Sequence, residues 1–133
     1  MPRDLKNELT YTSMMNVASR ATNNVASAGL DLRQYTGTGC VRVAVGVQTA
    51  GDNAATLTVL AQSAANNTAS EATNISGASF LTDGNNNLSQ GGTILIDKRS
   101  CYRYLFARLV ITGANSPAWP VCVEFVGTKQ VQP

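Results

Sequence analysis

The chain has 133 residues, 14% of them charged and none of them histidine, and its formal net charge is +2. Its 44% hydrophobic content excludes the composition of a disordered protein, and its length predicts one domain with a single core. The ten Lys and Arg residues are scattered, so the chain lacks the concentrated basic stripe of a nucleic-acid-binding protein. We therefore expect a folded domain with a weakly charged surface and no direct contact with nucleic acid.

The first segment of the chain has no clear hydrophobic period and no apolar region of the kind found in a signal peptide. No run in the chain approaches the roughly 18 apolar residues of a membrane span, so no membrane partner is expected. We interpret residues 1–24 as an N-terminal arm whose tail pairs at a sheet edge, followed by a β-sandwich domain at residues 25–133. Some apolar side chains of the arm are not needed in the sandwich core, and they are candidate contacts with a neighbouring subunit: Leu5, Leu9, Tyr11, Met14 and Met15.

Short alternating segments begin near residue 25, where a first short strand is expected over residues 25–32. The segment CVRVAVGVQ, residues 40–48, places its valines on one face. The segment TLTVLAQ, residues 56–62, places Leu57, Val59 and Ala61 on one face in the same way. The small turn-forming residues between the two segments predict that they form an antiparallel hairpin.

Four further strands are predicted in the second half of the chain. They are a short apolar element at residues 75–81, TILID at 93–97, CYRYLFARLVITG at 101–113, and WPVCVEFVG at 119–127. The third of these is apolar on both faces, which predicts a central strand that is covered on both sides. The last should point Trp119, Val121, Val123 and Phe125 inward and Glu124 outward.

The spacing of these elements predicts the fold. About seven or eight short strands follow one another with turn residues between them, and no helical pattern is long enough for a βαβ unit. We therefore predict an all-β, single-domain antiparallel β-sandwich, jelly-roll-like, that carries an N-terminal arm.

The residue types give little support to catalysis. Without histidine the chain has no Ser-His or Cys-His pair, and its carboxylates show no spacing that would pair them across a cleft. Cys101 lies between Arg99 and Arg103, whose charges could lower the pKa of its thiol, but no general base accompanies it. The three cysteines lack zinc-site spacing and are expected to be free thiols. We predict no catalytic residue, no metal and no cofactor.

Carbohydrate binding is the main alternative outside a structural role, because β-sandwiches host many unrelated functions. Exposed aromatic side chains could form a platform for a sugar, and the candidates are Tyr11, Tyr35 and Trp119. Most aromatic residues of the chain lie at core-facing strand positions, so packing is the default interpretation.

Three segments together, LDLRQYTGTGCVRVAVGV, CYRYLFARLVITG and VCVEFVGTKQ, resemble small proteins encoded in the head gene clusters of tailed bacteriophages. The shared pattern is an apolar-Asp-apolar strand with a Tyr-x-Gly turn, a late Tyr-Arg-Tyr-Leu-x-Ala strand, and a terminal valine strand that ends near Gly127. The resemblance covers residues 28–130.

The resemblance implies a capsid decoration or cement protein: a β-sandwich that binds the outer surface of the major capsid lattice and stabilises the DNA-filled head. It also implies the major capsid protein as partner, a homo-oligomer, dimer or trimer, on the capsid, and a protein made in the host cytoplasm and located on the virion surface. Strand addition at an exposed sheet edge is one mode of contact. Another virion component, a tail or head-completion protein, is the alternative within the same resemblance.

Overall fold

The computed structural model describes residues 9–21, 25–82 and 88–129, and within these ranges the chain forms nine β-strands and no α-helix. Single 3₁₀ turns lie at Leu32–Gln34, Ala69–Glu71 and Lys98–Ser100. The strands are β1 (Leu9–Arg20), β2 (Val25–Ala26), β3 (Leu30–Asp31), β4 (Tyr35–Val45), β5 (Thr56–Ala64), β6 (Thr73–Leu81), β7 (Gln90–Asp97), β8 (Tyr104–Thr112) and β9 (Trp119–Lys129).

The strands form two antiparallel sheets. The first, which we call the β1 sheet, has the order β1-β9-β4-β7. The second, the β8 sheet, has the order β2-β8-β5-β6, and β3 also pairs with β8. β2 and β3 together occupy the place of one interrupted strand, which leaves eight strands in chain order. Counted in this way, the β1 sheet contains strands 1, 8, 3 and 6, and the β8 sheet contains strands 2, 7, 4 and 5. This is the strand order of a jelly roll, so the predicted fold is confirmed.

The core lies between the two sheets and is built from the predicted alternation. The inward residues of β9 are Trp119, Val121, Val123 and Phe125, and all four are buried as expected, whereas Glu124 points outward. The Phe125 ring makes an edge contact with Tyr35, with ring centroids 4.9 Å apart. Burying one Val, Leu or Phe side chain stabilises a fold by roughly 1.5–3 kcal/mol, so this layer supplies the main driving force for folding.

The predicted central strand is β8. It pairs with β5 on one edge and with β2 and β3 on the other. Leu105 and Leu109 are buried in the core, and Phe106, on the opposite face, is also buried, with its ring against Gly29. The expectation of a strand covered on both faces is therefore confirmed at Phe106.

The predicted hairpin between residues 40–48 and 56–62 is wrong. β4 pairs with β7 and β9 in the β1 sheet, whereas β5 pairs with β6 and β8 in the β8 sheet. The segment between them crosses from one sheet to the other. Alternation in the sequence shows which face of a strand is buried, but it does not show which strand lies next to it. Two strands that face each other from opposite sheets alternate in the same way as two strands that are paired within one sheet.

The boundary predicted at residues 24 and 25 also needs correction, because Leu9–Arg20 form β1, an edge strand of the sandwich that pairs with β9. The expected pairing of the arm's tail at a sheet edge agrees with this position. Register shifts occur between Ser13 and Met15 and between Met15 and Ala18. Each extra residue in a bulge reverses which side chains face inward, so the sequence of β1 has no continuous period of two. For this reason the strand was not predicted. Residues 1–8 and 22–24 of the predicted arm lie outside the described ranges.

Candidate functional site

The outer face of the β1 sheet carries a row of apolar side chains that crosses all four strands. Leu95 of β7 lies opposite Cys40 of β4, Cys40 lies opposite Val126 of β9, and Val126 lies opposite Tyr11 of β1. Directly opposite residues of an antiparallel pair share a face. We call these four residues the apolar row. Its two ends are open to solvent, with Leu95 75% exposed and Tyr11 58% exposed.

The middle of the apolar row is packed. Val126 is only 8% exposed, although it does not belong to the core cluster between the sheets. Its register places it on the outer face, between Tyr11 on one side and Cys40 on the other. The row is thus a packed apolar ridge with an exposed anchor at each end.

The neighbouring rows of this face carry little net charge. In the next row Arg42 lies opposite Glu124, and their nearest side-chain atoms, Nη1 and Oε1, are 3.3 Å apart. Both partners are solvent-accessible, so the pair contributes only about 0–1 kcal/mol to stability, but it cancels the charge of the face. Beyond it, Ala44 lies between Gly91 and Cys122, and these small side chains leave the sheet surface low.

The candidate contact residues of β1 separate into two groups. Leu9 and Tyr11 are exposed on the outer face, in line with Thr128 and Val126 of β9. Met14 is half-buried and packs against the core. Met15 is a core residue, 5% exposed, and is not available to a neighbouring subunit. The bulges that flank Met15 turn it inward, so its candidacy as a surface contact is wrong. Leu5 lies outside the described residues.

Two exposed apolar residues of this face were not predicted from the sequence. Leu95 stands between Ile94 and Ile96, and a run of three apolar residues does not show which of them faces outward. Val17 lies within the second register shift of β1, between Met15 and Ala18, and borders a shallow depression with Gly46, Pro120 and Cys122. The outward orientation of Leu95 follows from the register of β7 against β4, and this register is known only from the folded structure.

The surroundings of Cys101 do not favour a reactive thiolate. Burial raises the pKa of its thiol, and the nearby Asp97 carboxylate raises it further. Arg99 pairs with Asp97 at 3.2 Å and Arg103 pairs with Asp31 at 2.9 Å, so both guanidinium groups are engaged elsewhere. The thiol donates to the carbonyl oxygen of Asp97 at 3.2 Å. The flanking arginines therefore do not lower the pKa of this thiol, and the prediction that the three cysteines are free is confirmed.

The three aromatic candidates for a sugar platform do not form one, and the default interpretation of packing holds for two of them. Tyr35 and Trp119 are core residues, 3% and 0% exposed, and of the three candidates only Tyr11 reaches solvent. The hydroxyl of Tyr35 forms a hydrogen bond with the Thr12 hydroxyl, 2.7 Å away, which attaches β1 to the core. Among the described residues no cluster of three or more His, Cys, Asp or Glu side chains is close enough to hold a metal ion.

The chain was compared with known proteins. No protein-family model matches it, and no curated protein matches it either. In the part of the chain that the structure describes, no helix is long and apolar enough to span a membrane.

Proposed function

We propose that this protein is a structural component of a virion, a decoration or cement protein that binds the outer surface of a capsid lattice through the outer face of its β1 sheet. The observation that carries the proposal is the apolar row, which crosses four hydrogen-bonded strands and exposes Tyr11 and Leu95 at its ends. The resemblance of the sequence to phage head proteins names the partner, the major capsid protein.

The physical argument concerns rigidity and desolvation. Contiguous exposed apolar side chains on a soluble domain mark an interaction surface. Here the backbone of the surface is fixed by three strand pairings, so a partner does not have to order it, and little conformational entropy is lost on binding. The charged side chains of this face are paired, Arg42 with Glu124 and Asp97 with Arg99, so a partner that covers the face buries matched charges.

Binding of this kind stabilises a capsid by mass action. A protein that binds the mature lattice and not the dissociated or immature one lowers the free energy of the mature state in proportion to the occupied sites. Many copies on the capsid surface, as a dimer or trimer, then resist the outward pressure of packaged DNA without any covalent chemistry. The protein is made in the host cytoplasm and joins the virion on its outer surface.

The test is a binding assay with expanded capsid shells that lack the protein. Leu95→Asp and Tyr11→Asp should each weaken binding, because the loss of a buried apolar anchor at an interface costs about 2 kcal/mol or more, which is about a thirtyfold higher Kd. Leu81→Asp is the matched control, since Leu81 is 60% exposed on the outer face of the β8 sheet. If Leu81→Asp weakens binding and the other two do not, the contact face is the β8 sheet and the proposal fails.

The number of copies in purified virions distinguishes the proposal from its alternative. A cement protein occupies repeated lattice positions, so quantitative electrophoresis should find on the order of hundreds of copies. About a dozen or fewer would indicate a tail or head-completion protein, whose symmetry allows only a few positions. That result would contradict a decoration role.

A further inference from the structure

One end of the sandwich collects half of the positive charges of the chain. The ten Lys and Arg residues are scattered along the sequence, but the fold brings five of them to the end where β4 and β8 begin and β7 and β9 end. We call this the basic end, and its cations are Arg33, Lys98, Arg99, Arg103 and Lys129. The described carboxylates of the same end are Asp31, Asp97 and, in the loop between β5 and β6, Glu71. The basic end therefore carries an excess of two positive charges, equal to the formal net charge of the whole chain.

Two turns of the same construction present most of these charges. Asp31 begins one 3₁₀ turn and accepts a hydrogen bond at 3.0 Å from the backbone N–H of Arg33. Asp97 begins the other and accepts one at the same distance from the backbone N–H of Arg99. The turns lie side by side, because β3 pairs with β8 and β4 pairs with β7. Main-chain hydrogen bonds thus fix the positions from which the cationic side chains extend, and a partner does not have to order this backbone.

The carboxylates of both turns are already engaged with arginine side chains. Arg103 donates to the two carboxylate oxygens of Asp31, at 3.2 and 2.9 Å. Arg99 donates to the two carboxylate oxygens of Asp97, at 3.2 Å each. Arg33 is exposed, and none of the ion pairs between described residues includes its side chain. Asp31 and Asp97 are therefore committed to other cations, and the excess charge of this end is open to a partner.

A depression of about 370 Å³ lies beside the second turn and is lined by Gly37, Thr38, Asp97, Lys98 and Arg99. Lys98 is half-buried, and its Nζ donates to the carbonyl oxygen of Tyr35 at 2.6 Å. An ammonium group has three N–H donors, so two of them remain for a ligand. Thr38 adds an exposed hydroxyl group, and Gly37, with a φ of +68°, leaves open space above it. The depression thus offers an ammonium group that is held in place, a guanidinium group and a hydroxyl group to one oxyanion.

The depression adjoins the apolar row. Thr38 lies opposite Asp97 in the register of β4 and β7, and each of them is two residues from a member of the row, Cys40 or Leu95. Residues two apart in a strand share a face. The basic end is therefore continuous with the outer face of the β1 sheet and forms a charged rim beside its apolar side chains.

The charges of the basic end fit protein carboxylates better than nucleic acid. Guanidinium groups of this end already bind carboxylates through paired hydrogen bonds, at Asp31 and at Asp97. A protein that binds nucleic acid through its backbone makes roughly 6–10 phosphate contacts, and an excess of two charges falls far short of that number. Tyr102, which is 60% exposed and precedes Arg103 in the chain, adds an aromatic ring against which a peptide side chain can pack.

From these observations we infer that the basic end is a docking surface for an acidic segment of a partner protein. One carboxylate of the segment lies in the depression between Lys98 and Arg99, and a second lies against Arg33. Where the partner is a capsid lattice the inference rests on the proposed function, and it adds that the lattice presents acidic residues beside an apolar patch. The acidic segment itself can be tested without a capsid, so a failure of that test leaves the effect of Leu95→Asp on shell binding as it stands.

The test is a titration of the ¹⁵N-labelled full-length protein with an acetylated oligoglutamate peptide at low salt, followed by the chemical shifts of the backbone amides. Shift changes should concentrate at residues 33, 37, 38 and 97–103 and should be absent around Arg42. About 1 M NaCl should abolish them, because the Debye length falls to about 3 Å. An oligothymidylate of the same charge is the comparison, and it should bind at least tenfold more weakly than the peptide.

Two variants and a matched control locate the binding charge. Arg33→Gln and Arg99→Gln should each raise the Kd of the peptide roughly two- to fivefold, which is the usual contribution of one solvent-accessible ion pair. Arg42→Gln removes the same charge from a solvent-accessible arginine outside the basic end, and it should leave the Kd of the peptide unchanged. All three side chains are exposed, so urea denaturation should show that each variant is folded.

Three results would overturn the inference. Shift changes that are absent, or spread evenly over the surface, mean that the basic end is not a site. An equal loss of affinity in Arg42→Gln means that the peptide responds only to the net charge of the protein. An oligothymidylate that binds as tightly as the peptide means that this end is a surface for phosphates and not for protein carboxylates.

Discussion

The outer faces of the two sheets satisfy their polar groups in different ways. On the β8 sheet, Arg108 Nε donates to Gln62 Oε1 at 2.7 Å, and Gln62 Nε2 donates to Asn74 Oδ1 at 2.6 Å. Arg108 Nη2 also donates to the carbonyl oxygen of Ala69 at 2.9 Å, which holds the neighbouring loop against the sheet. On the β1 sheet Arg42 and Glu124 form a solvent-accessible ion pair between strands, and the Thr36 hydroxyl donates to the carbonyl oxygen of Thr128 at 3.4 Å.

The two outer faces therefore have different roles. The network on the β8 sheet links three strands and a loop of the chain itself, so this face works as internal scaffolding. The β1 sheet exposes apolar side chains at Tyr11 and Leu95, with Val126 and Cys40 between them, so this face is suited to contact with another molecule. Truncations and substitutions on each face test this difference in role.

Deleting Met1–Met15 should have the largest effect. The deletion removes Leu9–Met15 of β1, its hydrogen bonds to β9 and the core side chain of Met15. Loss of a buried methionine side chain alone costs about 2–5 kcal/mol. We therefore expect the truncated protein to lose cooperative unfolding or to unfold at much lower denaturant. If it unfolds like the full chain, β1 is an arm after all, and the outer face of its sheet has only three structural strands.

Phe106→Ala should cost about 3–5 kcal/mol in the free energy of unfolding, because the ring is buried on the outer face of the β8 sheet. Leu95→Ala, at an exposed position on the outer face of the β1 sheet, should stay within about 0.5 kcal/mol. Urea denaturation of both variants measures the contrast. Equal costs would mean that the two faces do not differ in their contribution to the fold.

Arg108→Ala should cost about 1–3 kcal/mol, since it removes a donor from the buried amide of Gln62. Arg42→Ala removes one half of an exposed ion pair and should cost about 0–1 kcal/mol. Urea denaturation at low and at high salt separates the two effects. Only the small contribution of Arg42 should decrease with salt, because surface pairs are screened more strongly than partly buried ones. A larger cost at Arg42 than at Arg108 would reverse the assignment of the faces.

Asp31→Asn should have the smallest effect, and the effect should depend on pH. The hydrogen bond from Arg103 lowers the pKa of Asp31 below its ordinary value, with a further contribution from the backbone N–H of Arg33. A carboxyl group whose pKa is lowered by folding adds stability above its unfolded pKa and loses it as the pH falls through the folded pKa. The variant should therefore be less stable than the parent at neutral pH, and the difference should disappear in acid. A difference that is the same at pH 7 and at pH 2 would exclude this cause.

The buried face of each regular strand was predictable from the sequence, because successive side chains of a strand point to opposite faces. The valines at 41, 43 and 45 and those at 121 and 123 are buried where alternation places them. Pairing was not predictable in the same way, since the wrong hairpin between β4 and β5 has the same alternation as the correct packing of opposite sheets. The apolar row depends on the register of four strands, and residues from 11 to 126 meet in it. No local pattern contains that information.

β1 shows how a local irregularity can conceal a whole strand. Its sequence, LTYTSMMNVASR, has an outward phase up to Ser13 and a different phase after the second bulge. A period analysis averages the two phases and finds none. Tyr11 was predicted to be a surface contact because residues 1–24 were interpreted as an arm. It is exposed for a different reason, since residues 9–20 form an edge strand and Tyr11 projects from its regular half.

The position of Trp119 has a practical consequence. It is the only tryptophan of the chain, it is fully buried, and its direct neighbour across the strand pair is Arg20 of β1. Indole fluorescence shifts to longer wavelength when water reaches the ring. The fluorescence emission of the unmodified protein therefore shows whether β1 is paired with β9, without any added label. A structural change confined to the surroundings of Leu95, at the other edge of the sheet, should leave this emission unchanged.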